Sequence, residues 1–228
     1  MPADFVFDHD RPARIGLAEA VFCAHKSPDQ VAHAVADALA RGERRLFTRL
    51  EPAQATALPP ELSHALDYDP VSRTGVVGGL PAPAGPARVA IVTAGTSDVP
   101  VAAETERTLA VAGEAAERHA DIGVAGLWRL LERRERLATF PVVIAVAGME
   151  GALFSVLGGL VGGVLIAVPV SSGYGVAAGG RAALASALGG CAPGVVAVNI
   201  DNGYGAACAA LRVLRALDGA AAGRGASS

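Results

Sequence analysis

The sequence predicts an α/β fold: a parallel sheet in a three-layer α/β/α sandwich, preceded by a small amino-terminal α+β domain. From residue 88 onward, apolar runs of strand length alternate with segments of helix length. The runs are apolar throughout, which indicates strands buried on both faces rather than strands with one face in water. A regular alternation of strand and helix indicates βαβ crossovers, and crossovers of this kind join parallel strands.

The beginning of the chain carries separate signals. Residues 27–42 predict a helix, because Ser27 can cap it, a proline follows in the first turn and a glycine stands at its end. Residues 44–50, RRLFTRL, predict a strand.

A linker separates this region from the regular pattern. Residues 51–87 are rich in proline, alanine and glycine, and PAPAGPA at 81–87 is typical of a linker. We therefore place the small amino-terminal domain in residues 1–85 and the α/β domain in residues 86–228.

The α/β domain is predicted to hold five strands and five helices. The strands are expected at 88–95, 120–126, 142–148, 163–168 and 195–200. The helices are expected within 96–113 and at 127–137, 150–161, 176–188 and 204–217.

Composition excludes several classes of protein. The formal charge of −3 does not favour a polyanion partner, so we expect no nucleic-acid binding. Three cysteines without metal-ligand spacing argue against a disulfide framework and for a reducing compartment, so we expect a cytoplasmic protein. The first residues, MPADFVFDHDRPARIG, are too acidic and too poor in apolar residues for a signal peptide.

A long uncharged stretch at 151–180 raises the question of a membrane span. About 20 apolar residues cross a bilayer, and this stretch has no charge at all. It also contains two Gly-Gly pairs before Pro169, and glycine and proline disfavour a continuous helix. We therefore expect no membrane contact, and interpret the stretch as helix, strand and loop of the sheet domain.

The predicted strand ends carry glycine, hydroxyl, carboxylate and amide groups. The motifs are TAGTSD, GVAG, VAGMEG, PVSSGYG and NIDNGYG. Ligands of open parallel sheets bind beyond the carboxyl ends of the strands, so these loops predict a nucleotide-binding site. For any single loop, glycines that only make a tight turn remain the simpler explanation.

Three segments resemble the PurE family of aminoimidazole ribonucleotide carboxylases and mutases: AGTSDVPVAAE at 94–104, AGMEGALFSVLGGLVGGVLIAVPV at 147–170 and APGVVAVNIDNGYGAACAALRVL at 192–214. PurE proteins have a catalytic histidine in a loop after the second strand. Here that place reads GVAGLWRLL (123–131), without a histidine. The resemblance therefore implies a PurE-like fold more firmly than purine chemistry.

A second resemblance, to the PurE-related LarB family of nickel-pincer cofactor synthesis, covers most of the chain. The segments are DIGVAGLWRLL, VVIAVAGMEGALFSVLGGLV, PVSSGYG and CAPGVVAVNIDNGYGA. LarB proteins also have a small domain before the PurE-like one. The family pattern has a histidine where Trp128 stands.

The resemblance to LarB implies the reaction. Nicotinic acid adenine dinucleotide (deamido-NAD), carbon dioxide or bicarbonate and water would give pyridinium-3,5-biscarboxylic acid mononucleotide and AMP. We also expect a homo-oligomer, such as the octamer of PurE-like proteins, because the apolar, glycine-rich segment 151–170 exceeds what one small domain normally buries. The alternatives are a PurE-like purine enzyme and a nucleotide-binding protein without catalysis.

Carboxylating a pyridinium ring requires a nucleophile that adds and leaves readily, which suits a thiolate. The candidates are Cys23, Cys191 and Cys208. Cys208 falls inside the last predicted helix and Cys23 in the amino-terminal domain, whereas Cys191 stands at a turn. The resemblance to LarB selects Cys191, because that family has its reactive cysteine there.

Glu150 is the sole charge between Arg136 and Arg181. It could cap the start of a helix, but we favour a general base that removes the proton from the carboxylated carbon.

The remaining candidates are groups that suit phosphate, ribose or the ring. We assign substrate binding to Gly95, Thr96, Ser97, Asp98, Gly148, Met149, Ser171, Ser172, Gly173, Tyr174, Asn199, Asp201 and Asn202. The last three could also hold Mg²⁺ beside a pyrophosphate, although no ligand cluster requires a metal. We interpret His25, His33, His64 and His119 as surface groups.

Overall fold

The computed structural model describes residues 6–225 and divides into two compact units between Ala82 and Pro83. The sequence placed the boundary after residue 85, inside the same proline-rich segment. Each unit has a sheet of its own.

The amino-terminal unit has a four-stranded mixed sheet in the order β1-β2-β4-β3. Its strands are β1 (Val21–Phe22), β2 (Arg45–Thr48), β3 (Leu66–Asp69) and β4 (Thr74–Val77). Its helices are α1 (Arg11–Ile15), α2 (Pro28–Arg41), α3 (Pro52–Thr56) and α4 (Pro60–Ala65). The predicted helix over 27–42 is confirmed: Ser27 Oγ accepts the Gln30 N–H at 3.2 Å, and Gly42 ends the helix at φ 63°.

The second unit has a five-stranded sheet in the order β6-β5-β7-β8-β9, with every pair parallel. Its strands are β5 (Val89–Thr93), β6 (Ala116–His119), β7 (Val142–Ala147), β8 (Val164–Pro169) and β9 (Val196–Ala197). The α/β fold class with a PurE-like parallel sheet is confirmed.

Helices cover both faces of this sheet. They are α5 (Val99–Val111), α6 (Leu127–Leu131), α7 (Arg134–Leu137), α8 (Ala152–Gly158), α9 (Arg181–Gly189) and α10 (Gly203–Gly225). Helices α5 and α10 pack on each other and on one face, while α8 and α9 pack together on β7 and β8. Alternate residues of β5 and β7, among them Val92 and Val143, join Phe154 and Leu157 of α8 in one buried core.

The strand order creates a switch point between β5 and β7. The chain leaves β5 toward β6 on one side and later returns to β7 on the other side. The loops after these two strands therefore diverge, and a crevice forms beyond their carboxyl ends.

The uncharged stretch 151–180 forms helix α8, strand β8, a loop and a kinked 3₁₀ segment at Gly175–Gly180. Strand β8 is buried over all but its first residue. Within residues 6–225, no helix combines the length and apolarity needed to cross a bilayer.

The second strand of the α/β unit was placed wrongly. It was predicted at 120–126, but β6 spans Ala116–His119, and Val124–Gly126 form a 3₁₀ turn. The cause is that β6 lies at the sheet edge and carries Glu117 and Arg118. A search for continuous apolar runs finds central strands and misses an edge strand of this kind.

Other expectations also need correction. The predicted helix at 127–137 is two short helices, α6 and α7, and the strand predicted at 195–200 extends only over Val196–Ala197. His119, interpreted as a surface group, is buried and packs edge-on against Phe140. Burial lowers the pKa of His119.

Gly123 tests how tightly the loop after β6 is held against β5. A Cβ at Gly123 would lie 2.5 Å from the carbonyl oxygen of Ala94, and backbone cannot move aside as a side chain can. We expect Gly123→Ala to destabilise the protein by about 1–3 kcal/mol, which thermal unfolding will measure. Gly162→Ala is the matched control, since nothing lies within 4 Å of its added Cβ. Equal melting temperatures for the two variants would contradict the expected backbone clash.

Candidate functional site

A cleft of about 430 Å³ lies at the switch point. The loops after β5, β6, β7 and β8 all contribute to its walls, through residues such as Ser97, Val124, Glu150 and Ser172. Its volume falls within the range of about 300–1,000 Å³ that small-molecule sites occupy.

Asp98 is the buried carboxylate of the cleft, with only 3% of its surface exposed. It ends the 3₁₀ turn Thr96–Asp98, and its Oδ2 accepts the Gly95 N–H at 2.9 Å. Its Oδ1 accepts a long hydrogen bond of 3.4 Å from Ser172 Oγ. Burial raises the pKa of Asp98, although bonds from Gly95, Ser172, Gly148 and Ala94 partly oppose that rise.

Gly148 allows the loops after β5, β7 and β8 to meet. A Cβ at Gly148 would lie 2.5 Å from Ser172 Oγ and 3.6 Å from Asp98 Oδ1. A side chain at this position would therefore separate the hydroxyl from the carboxylate. The glycine of the AGME segment thus serves a close approach as well as a turn.

Glu150 lines the cleft and is exposed. It stands between Met149, at φ 51°, and Gly151, at φ 67°, so a tight turn with two left-handed residues presents it. Gly151 is the N-cap of α8, and no side chain caps that helix among the described residues. The alternative role of Glu150 as a helix cap therefore has no support in the structure.

The structure brings together just over half of the predicted site residues. The cleft includes Glu150, Gly95, Ser97, Asp98, Gly148, Met149, Ser172 and Tyr174. The predicted residues that do not line it are Thr96, Ser171, Gly173, Asn199, Asp201, Asn202 and Cys191.

Three of the residues outside the cleft hold the neighbouring loops. Asp201 Oδ1 accepts the Ser171 N–H at 2.8 Å, which joins the loops after β8 and β9. Asn202 Oδ1 accepts the Gly205 N–H at 2.8 Å in the first turn of α10. Asn199 Oδ1 accepts the N–H of Ile200 at 2.9 Å. Each of these side-chain oxygens thus helps to fix the conformation of a loop.

Within residues 6–225, one group of three side chains has spacing that suits a metal, namely His9, Asp37 and Glu43 of the amino-terminal unit. The Arg45 guanidinium already bonds to Asp37 at 2.8 Å and to Glu43 at 2.6 Å. This cation neutralises both carboxylates, so the group fits an ion-pair cluster better than a metal site.

The three cysteines have different surroundings. Cys23 is fully buried, and burial raises the pKa of its thiol to about 12, which makes it a poor nucleophile. Cys208 is half-buried on α10. Cys191 is exposed, but it follows α9, which runs back from the carboxyl edge of the sheet. Cys191 therefore lies toward the amino edge, away from the cleft of its own chain.

Sequence reasoning missed the wall formed by Gly123, Val124, Ala125 and Arg129. The motif GVAG was recognised as a possible site loop, but its residues were placed partly inside a strand. Arg129 could have been identified as a site residue from the sequence, because it is a cation only a few residues beyond that motif. Trp128 beside it does not line the cleft and is 63% exposed.

Comparison with known proteins gives matches in both units. Residues 4–78 match the family model described as LarB/PurE-like N-terminal domain, and residues 88–224 match the one described as AIR carboxylase. A relative from Methanocaldococcus jannaschii, named uncharacterized protein MJ0165, is 34% identical over 218 residues, which cover 87% of this chain and 79% of the relative. Together with the parallel sheet and its cleft, these matches show that the chain belongs to the LarB family, related to AIR carboxylase.

Proposed function

We propose that the protein carboxylates the pyridinium ring of deamido-NAD with carbon dioxide and hydrolyses its phosphoanhydride, giving pyridinium-3,5-biscarboxylic acid mononucleotide and AMP. The observation that carries the proposal is that Glu150 and Asp98 line one cleft at the switch point of the sheet. Membership of the LarB family supports a carboxylase-type enzyme.

The ring chemistry requires a temporary nucleophile. A pyridinium ring is electron-poor, so its carbon 5 cannot attack carbon dioxide. Addition of a thiolate at carbon 4 forms a neutral enamine, and the carbon 5 of that enamine forms the new bond to carbon dioxide. Loss of the carbon 5 proton to a base and departure of the thiolate then restore the aromatic cation.

Glu150 is the proposed base for the carbon 5 proton. It lines the cleft and makes no hydrogen bond or ion pair with any residue between 6 and 225. A carboxylate without a protein partner is available to the substrate. Asp98 is less suited to this role, because Gly95 and Ser172 already bond to its two oxygens.

The loops after β5 and β8 are the proposed site for ribose and phosphate. Ser97 lines the cleft close to the start of α5, where backbone N–H groups attract anions. Ser172 lines the facing wall and bonds to Asp98, whose carboxylate suits a ribose hydroxyl. The cleft thus offers separate groups for the ring proton and for the sugar phosphate.

Cys191 can serve as the nucleophile only in the cleft of a second subunit. It lies toward the amino edge of the sheet, beside two exposed apolar residues: Leu188 is 70% exposed and Val196 is 49% exposed. Near the cleft, Trp128 and Tyr174 are also exposed. Contact between the amino edge of one subunit and the cleft of the next would bury the exposed residues beside Cys191 together with those near the cleft. Head-to-tail contacts form a closed ring when the rotation between successive subunits closes, and such a ring is the homo-oligomer that we propose.

A purine carboxylase is the second candidate, and the position of His119 bears on it. The corrected β6 ends at His119, close to where PurE proteins have their histidine. His119 is buried against Phe140 and does not line the cleft. Among the residues of one subunit that the structure describes, no histidine lines the cleft, which favours the dinucleotide over purine chemistry.

The first test is turnover of deamido-NAD and bicarbonate, with Glu150→Gln as the variant. We expect the wild type to release AMP and the doubly carboxylated mononucleotide. The variant should fold normally and lose about 10²–10⁴-fold in carboxylation, because glutamine cannot accept the proton. Product formation is followed by mass spectrometry.

Glu132→Gln is the matched control, since Glu132 is exposed and does not line the cleft. Turnover by Glu150→Gln within about threefold of the wild type would remove Glu150 as the base. Turnover of aminoimidazole ribonucleotide in place of the dinucleotide would favour the purine enzyme. Tight binding of deamido-NAD without any product would favour a binding protein.

The position of Cys191 gives a complementation test. We expect Cys191→Ala alone and Glu150→Gln alone to retain about 1% of wild-type activity or less. Mixed oligomers of the two variants should regain about a quarter of wild-type activity. Each site then needs an intact Glu150 from one subunit and an intact Cys191 from its neighbour, and random mixing brings these together in about a quarter of the sites. Inactive mixed oligomers, or a wild type that is monomeric in light scattering, would contradict catalysis between subunits.

The raised pKa of Asp98 gives a pH-dependent prediction. Burial favours the protonated form of Asp98 in the folded state, so protonated Asp98 stabilises the fold at low pH. This contribution of Asp98 to stability is lost as the pH rises above about 4 and through the raised pKa of the folded state. Asp98→Asn keeps an oxygen for the Gly95 N–H and removes the titration. We expect the melting temperature of Asp98→Asn, relative to that of the wild type, to increase from pH 4 to pH 7. We also expect the variant to bind the dinucleotide more weakly. A difference in melting temperature between the variant and the wild type that stays constant from pH 4 to pH 7 would refute the raised pKa of Asp98.

A further inference from the structure

We propose that the amino-terminal unit binds an adenine nucleotide in a cavity along the free edge of strand β1. This inference goes beyond the proposed reaction and does not depend on it. The cavity has a volume of about 470 Å³, within the range of about 300–1,000 Å³ that small-molecule sites occupy. Its walls combine strand backbone, two aromatic rings and a cationic turn, and the residues that line it include Phe7, Phe22, His25 and Lys26.

The backbone of Phe22 presents a hydrogen-bonding edge to the cavity. Strand β1 is the outermost strand of its sheet, next to β2. The Cys23 N–H donates to the Thr48 carbonyl of β2 at 2.8 Å, so the N–H and C=O of the preceding residue, Phe22, point away from β2. Within residues 6–225, Phe22 makes no hydrogen bond beyond this sheet. A donor and an acceptor side by side match the ring nitrogen and the amino group of adenine.

Two aromatic rings line the same cavity. The side chain of Phe22 is 55% exposed, although it belongs to a sheet strand. Phe7 is half-buried, and the guanidinium carbon of Arg45 lies 3.9 Å from the centre of its ring, which holds that ring in place. An exposed phenyl ring beside an unpaired strand edge offers a stacking surface for a planar base.

The turn after β1 gives the cavity a cationic end. The Lys26 N–H donates to the Cys23 carbonyl at 2.9 Å. Gln54 Nε2 donates to the carbonyls of both Cys23 and Lys26, at 2.9 and 2.7 Å, so helix α3 holds the turn from outside. His25 has φ 68° in this turn, a conformation that is uncommon for a residue with a side chain. A fixed turn that presents a histidine and a lysine to a cavity suits a phosphate group.

The polar side chains at the two ends of β1 orient the ligand. Gln30 Oε1 accepts the Ser27 N–H at 2.9 Å, while its Nε2 donates to no group between residues 6 and 225, so a donor remains beside the cationic turn. Glu19 lines the cavity before β1, and its Oε2 accepts the Asp8 N–H at 2.7 Å. This carboxylate repels an anion. The phosphate is therefore expected at the turn, and the base along Phe22.

Lys26 permits a direct test, because it is the sole lysine among the 19 lysine and arginine residues of the chain. An amine-specific acylating reagent therefore modifies Lys26 in the full-length protein, and peptide mass spectrometry separates this product from the acylated amino terminus. We expect AMP to slow the acylation of Lys26 along a single binding curve. Because the reacting amine lines the amino-terminal cavity, protection reports on nucleotide binding in that cavity.

Two comparisons test the base-binding wall. Phe22→Ala should raise the AMP concentration that gives half-protection by about 10-fold, because the stacking surface is lost. Arg41→Gln is the matched control and should leave that concentration unchanged, since this exposed arginine of the same unit does not line the cavity. GMP should protect about 10-fold more weakly than AMP, because guanine has an acceptor where adenine has its amino donor.

Several outcomes would overturn the proposal. Acylation of Lys26 at the same rate with and without AMP is the first, and equal protection by inorganic phosphate, which identifies an anion site only, is the second. Equal protection by GMP, or an unchanged half-protecting concentration in Phe22→Ala, would remove the base-binding wall. Protection by an extended acidic peptide in place of AMP would identify strand addition at β1 instead. A protein that never carboxylates deamido-NAD refutes the proposed function and leaves protection of Lys26 by AMP intact.

Discussion

The end of strand β5 is the constraint on which the site depends. Thr93 fixes the loop after β6 through its hydroxyl and its carbonyl, and the Ala94 carbonyl leaves room only for a glycine at 123. Directly afterwards, the Gly95 N–H binds Asp98. A few consecutive residues therefore position the cation of one wall and the buried carboxylate of the other. The rigidity of a central strand is transmitted to loops that would otherwise be mobile.

Electrostatics separate the two carboxylates of the cleft. Asp98 is buried and bonded to the backbone, and burial raises its pKa at a cost in folded-state stability near neutral pH. Glu150 is exposed and makes no bond to the described protein. A group fixed by the fold suits recognition, and a group without a partner suits proton transfer. Two residues of the same chemical type thus have different surroundings, which fits the different roles proposed for them.

The sequence predicted the central strands and missed the edge. Strands β7 and β8 are buried on both faces, so their apolar runs were visible without a structure. Strand β6 has a solvent-facing edge and charged residues, and its pattern resembles that of a helix or loop. This error concealed Arg129. Just over half of the predicted ligand-binding residues line the cleft, because loops after parallel strands share one edge. Asp201 and Asn202 instead accept backbone hydrogen bonds that hold neighbouring loops.

The location of Cys191 is set by the topology of the sheet and not by the accessibility of its turn. A cysteine between helix and strand is accessible in either arrangement, but helices in this fold run antiparallel to the strands, so a turn after a helix lies at the edge opposite the cleft. The same packing explains the uncharged stretch 151–180. Gly158 lies against Ala192, and Gly151 lies against Ala183, so small residues let α8 approach the segments around α9 closely. Apolar content that resembles a membrane span therefore packs α8 and β8 into the core of the sheet domain, whereas the exposed Leu188 and Val196 beside Cys191 lie outside this stretch.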